Sequence, residues 1–122
     1  MQSAATAPLN SDGYHRGIRL FNRRQFYDAH EVWEDVWRES HGVEKRFLQG
    51  LIQAAVALHH HSRGNVAGAC SLLARSHKNL AACPEETGGI DLNALLESLQ
   101  HWQRSLVSGA HAPNHPEISN LK

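Results

Sequence analysis

Cysteine is scarce in this chain: only Cys70 and Cys83 occur among 122 residues, with no CxxC pair. That scarcity excludes a Cys-rich zinc site and argues against a disulfide framework. No run approaches the roughly 18 consecutive apolar residues that a membrane-spanning helix needs. The opening MQSAATAPLN has no basic start followed by an apolar stretch, so no secretory signal is expected either. Charge of one sign is also missing. Lys and Arg together number 12, as do Asp and Glu, which argues against bulk attraction to nucleic acid or to an anionic membrane. No Gly-rich phosphate loop or GxSxG elbow is present, so nucleotide binding and serine hydrolysis have no support. A cytoplasmic protein with one hydrophobic core is the expectation.

Strand-like alternation is absent as well, and helical periodicity takes its place. Phe26, His30, Trp33 and Trp37 recur at four, three and four residues, the helix period. This first long helix is expected to begin at an Asn22 N-cap with Gln25 at the capping-box position, and with Phe21 packing on Phe26 as a hydrophobic staple. The preceding YHRGIRLFN (14–22) reads as a short helical turn leading into it. SHG (40–42) ends it. A second helix over about 43–62 carries Phe47, Leu51, Ala54, Ala55 and Leu58. After RGN (63–65), Asn65 caps a third helix with Val66, Ala69, Cys70, Leu73 and Leu80 along one stripe. The loop CPEETGGI (83–90) follows, and Asp91 caps a fourth helix whose apolar face is Leu92, Leu95, Leu96, Leu99, Trp102 and Leu106. The fold class is therefore all-α: a compact bundle of about four helices with short loops, spanning 14–107. Residues 1–13 and 108–122 are expected to be flexible segments.

The chemistry concentrates in DAHEVWEDVW (28–37). On a helix His30 and Glu34 stand at i and i+4, and Glu31 and Glu34 at i and i+3, so all three can converge at the edge of the stripe formed by Trp33 and Trp37. Gln53, set among apolar residues in LIQAAVAL, must find partners if it is buried. In antiparallel packing of the first two helices it would meet His30 or Glu34. These residues with Asn65 define a candidate polar pocket for a small ligand. Ten histidines in the chain keep a divalent metal in view, with His30, Glu34 and His60 as candidate ligands, since imidazole with carboxylate suits several transition metals. In a metal-dependent hydrolase Glu31 or Glu34 would serve as base. The bland alternative is that His30 bonds to Glu34 or to a backbone carbonyl and closes the core. HEVWE is not the zinc-protease HExxH, because Glu34 replaces its second histidine. A di-iron centre lacks the ExxH repeats it needs. In HHH (59–61) consecutive side chains diverge by about 100°, so one ion cannot take all three.

The runs GIRLFNRRQFYDAHEVWEDVWR (17–38) and FLQGLIQAAVALHHHSRGNVAGACSLL (47–73) together resemble the DUF309 family over about residues 14–82. The resemblance implies a small bundle of about four helices, of a kind found in bacteria and archaea. It places the family's characteristic positions on Phe21, Asn22, Phe26, His30, Glu31, Trp33, Glu34 and Trp37, and further on Gly50, Leu51, Ile52, Gln53, Gly64 and Asn65. It implies no activity or ligand. The expectation is a structural, interaction or small-ligand-binding module, with the metal-dependent hydrolase as alternative. Self-association is expected through an apolar surface built from Trp102, the leucine face of the fourth helix or the alanine-rich third helix.

Overall fold

A computed structural model describes residues 8–121. It is all-helical, but with five α-helices rather than about four: α1 (Asp12–Asn22), α2 (Phe26–Arg38), α3 (Gly42–Ser62), α4 (Val66–Ala81) and α5 (Leu92–Ser108). Short 3-10 turns occupy Pro8–Asn10 and Thr87–Gly89. Among the described residues no helix is long and apolar enough to cross a membrane.

The additional helix is the segment read as a single lead-in turn. Ser11 caps it by accepting from the Tyr14 backbone N–H at 3.1 Å, and Tyr14, Gly17 and Phe21 form its buried face at spacings of three and four. A glycine in mid-helix lowers helix propensity, yet here it has a packing purpose. A Cβ on Gly17 would collide with the indole ring of Trp33. Trp33 is 0% exposed and donates Nε1–H to the Tyr14 carbonyl at 3.1 Å, which fixes α1 across α2.

Because α1 runs through Asn22, that residue does not cap α2. The chain reverses over Arg23–Gln25, with Arg24 at φ 66°, and α2 starts at Phe26 without a side-chain cap from Gln25. The pairing of Phe21 with Phe26 is present, edge to face at 5.2 Å between ring centres. Asn65 and Asp91 cap α4 and α5 as their positions suggest, accepting from Gly68 N–H at 2.9 Å and from Ala94 N–H at 3.1 Å.

α3 is the central helix and buries Phe47, Leu48, Leu51, Ala54, Ala55 and Leu58. It meets α4 closely at Gly50, where an added Cβ would strike the Leu80 side chain, and the Ser76 hydroxyl donates to the Gly50 carbonyl at 2.7 Å. The small residues of α4 divide by face: Ala69 is buried, whereas Ala67, Ala74 and Ala81 are exposed.

The two terminal segments are expected from the sequence to be flexible. Residues 1–7 lie outside the described region, but the fold already begins at the turn Pro8–Asn10 and the start of α1. After α5 the chain folds back and is pinned along its length. Trp102 donates Nε1–H to the Asn114 carbonyl at 2.9 Å. The Asn22 side chain bonds both the Ile118 carbonyl and the Ile118 N–H, at 3.0 and 2.8 Å. Asn120 forms an isolated antiparallel bridge with Ile90. These anchors are aperiodic, which is why helix-period reasoning passes over them. Trp102 is consequently 1% exposed and unavailable as the apolar surface expected to drive self-association.

Candidate functional site

α2 and α3 are joined by three residues and run antiparallel, so the start of α2 lies beside the end of α3. The juxtaposition shows in ring contacts. Tyr27 lies 4.9 Å from His30 and 5.2 Å from His59, centre to centre. Tyr27 is 51% exposed, so this aromatic corner faces solvent.

His30 sits one turn further along α2. Its Nδ1 is 2.8 Å from the Tyr27 carbonyl oxygen. A carbonyl only accepts, so Nδ1 donates in this contact, and in the neutral form of the ring Nε2 is left as an acceptor. Nε2 stands 3.8 Å from Glu34 Oε2, with the two side chains 16% and 43% exposed. That separation is too long for a hydrogen bond. Two acceptors therefore lie side by side on one helix edge, with the Tyr27 ring adjoining. Arg38 approaches the other Glu34 oxygen at 3.9 Å while pairing with Asp35 at 2.6 Å. Such exposed pairs hold each other weakly, by about 1 kcal/mol or less.

The remaining candidates separate from this edge. Glu31 is exposed. Gln53 does not meet His30 or Glu34; its amide oxygen accepts from Asn79 Nδ2 of α4 at 2.8 Å, and Asn79 also accepts from Arg46 at 3.2 Å. Gln53 reaches α4 because α3 is central and has polar neighbours on more than one side. Asn65 is engaged in capping α4, with its Nδ2 3.4 Å from His60 Nδ1. The three consecutive histidines diverge as helix geometry requires: His59 toward Tyr27, His60 toward Asn65, and His61 edge-on to Trp102 at 5.0 Å. Among the described residues no three His, Cys, Asp or Glu side chains form a group able to hold a metal ion. Trp33 is sealed in the core, whereas Trp37 is half-buried and carries the Lys45 ammonium over its ring at 4.2 Å.

Two features had only weak signals in the sequence. Tyr27 carried no sequence signal beyond its position beside HEVWE. Asn22 looked like a cap, and nothing local indicated that it would clamp a segment 96 residues away.

The described residues form a small helical domain whose polar residues mostly tie helices together, with His30 Nε2 and Glu34 Oε2 3.8 Å apart on one edge of α2. The chain matches DUF309, described as a domain of unknown function, over residues 14–72. It is 42% identical over 86 residues to the uncharacterized protein YpuF of Bacillus subtilis, covering 68% of this chain and 49% of that protein. It is 35% identical over 104 residues to an uncharacterized protein of Aquifex aeolicus, covering 84% of this chain and 30% of that protein. The chain thus spans about half of one relative's length and under a third of the other's.

Proposed function

We propose that this domain is a binding module that recognises a cationic group, an alkylammonium or guanidinium of a small ligand or partner, at the His30–Glu34 edge of α2. The observation that carries the reading is the 2.8 Å contact between His30 Nδ1 and the Tyr27 carbonyl oxygen. The His30 Nδ1–H is committed to that carbonyl, which leaves Nε2 and the Glu34 carboxylate as neighbouring acceptors without a donor between them. A cation with N–H donors satisfies both, and the Tyr27 ring alongside adds an electron-rich face. The other polar residues of the region, Gln53, Asn65 and Asn22, already have protein partners. A metal-dependent hydrolase has weaker support, since His60 bonds elsewhere and Glu31 points to no partner that the described residues supply.

The test is titration of the protein with butylammonium while following the His30 imidazole nitrogens and the Tyr27 ring by NMR. Saturable shifts at His30 Nε2 that disappear in Glu34→Gln support the reading. Absence of any shift at His30, or equal shifts in Glu34→Gln, contradicts it.

A further inference from the structure

The segment after α5 is held in the manner of a bound peptide strand. Its side chains alternate: Pro116 and Ile118 are buried, whereas Glu117 and Ser119 are exposed, the period of an extended strand lying on a surface. Its anchors reach the main chain rather than particular side chains. Asn22 clamps both backbone groups of Ile118, Asp91 N–H donates to the Ser119 carbonyl at 2.8 Å, and Leu121 N–H donates to the Gly89 carbonyl at 2.9 Å. Trp102 bonds the Asn114 carbonyl. Ahead of the clamp, the His115 ring lies between Phe26 and Trp102, at 5.7 and 5.6 Å between centres. Main-chain bonds with pockets for alternate side chains are the elements of strand-addition recognition.

We propose that this groove, formed by Asn22, Phe26, Trp102 and the Gly89–Asp91 turn, is a binding site for an extended peptide of Pro-x-Ile type, and that the chain's own residues 114–121 occupy it in cis. A partner carrying such a strand binds by displacing the segment. Nothing in the clamp requires the strand to belong to the same chain, because Asn22 and the Gly89–Asp91 turn bond only backbone atoms of residues 118, 119 and 121. Tethering makes the segment its own competitor. For a short tether the effective concentration is on the order of millimolar, so a groove closed tenfold more often than open corresponds to a trans dissociation constant of about 100 µM.

The experiment uses the full chain and a labelled peptide PNHPEISNL, the sequence of residues 113–121. In Ile118→Asp the internal segment loses its buried anchor. This variant, checked for native helix content by circular dichroism, is expected to bind the peptide about tenfold more tightly than the unaltered chain. Adding Asn22→Ala to it is expected to abolish binding. Because Ile118→Asp can fail to fold, the unaltered chain is also titrated with millimolar peptide, with shifts expected at the Asn22 side-chain amide and the Asp91 N–H. The proposal is overturned if neither protein shows peptide binding or if a scrambled peptide binds equally. It is likewise overturned if the unaltered chain only exchanges segments with a second copy and ignores free peptide.

Discussion

Gly17 gives the sharpest single-residue test of how α1 is held. Helix propensity alone predicts that Gly17→Ala stabilises by roughly 0.5–1 kcal/mol. Packing predicts the opposite, because the new methyl collides with the Trp33 indole in a core with no space to yield, at a cost of about 1–3 kcal/mol. Urea denaturation decides between them by sign. Trp33→Ala removes the ring itself and its bond to the Tyr14 carbonyl, and a loss of about 3–5 kcal/mol is expected in the same measurement. Tyr14 belongs to this contact network: burial pushes its phenol well above the ordinary tyrosine range, while its hydroxyl donates to the Gly88 carbonyl at 2.8 Å. At His30 and Glu34 the expected effect of substitution is on binding rather than on stability. Their exposed separation contributes little to stability, so Glu34→Gln is expected to leave the unfolding midpoint nearly unchanged, within about 0.5 kcal/mol, while removing cation-dependent shifts.

Among the elements, the capped helix starts and the docked terminal segment make distinct predictions. Asn65→Ala removes the acceptor for Gly68 N–H and is expected to cost about 0.5–2 kcal/mol by chemical denaturation. The terminal segment responds to pH through His115. Burial holds its pKa below the ordinary histidine value, and the nearby Arg24 and His61 lower it further. The released segment titrates near pH 6.5. Docking therefore has its full strength above about pH 6.5, and this contribution is lost as pH falls through the free value and then the lower docked value. Hydrogen exchange at Ile118 and Leu121 is expected to show falling protection on acidification, after correction for the intrinsic exchange rate. His115→Phe should remove that pH dependence, and unchanged protection in the unaltered chain would count against it. The helical elements were legible in sequence because their signals are local: the spacing of Phe26, Trp33 and Trp37, the Asn65 and Asp91 caps, and the loop at Pro84 and Gly88–Gly89. Asn22 misled because an asparagine before an apolar run has the same local appearance whether it caps a helix or clamps a distant strand. The fold-back of residues 114–121 left no periodic trace, since its anchors are mostly backbone bonds and two alternating side chains.

At the scale of the whole molecule, α3 distributes polar residues to neighbours on several sides, and this decides what the candidate site contains. The sequence could place His30 and Glu34 on one helix edge, because i and i+4 spacing is enough for that. It could not say that Gln53 turns to Asn79 on α4, since that depends on which helices flank α3. The five-helix arrangement thus breaks the expected polar cluster into structural ties and the separate His30–Glu34 pair. The chain accounts for 49% and 30% of the lengths of the two relatives described above. The most direct measurement is the tautomeric state of His30, from the nitrogen chemical shifts and proton couplings of its neutral ring. The proton is expected on Nδ1, with an unprotonated Nε2 that shifts when butylammonium binds. A proton found on Nε2, donated to Glu34, would contradict the proposed function.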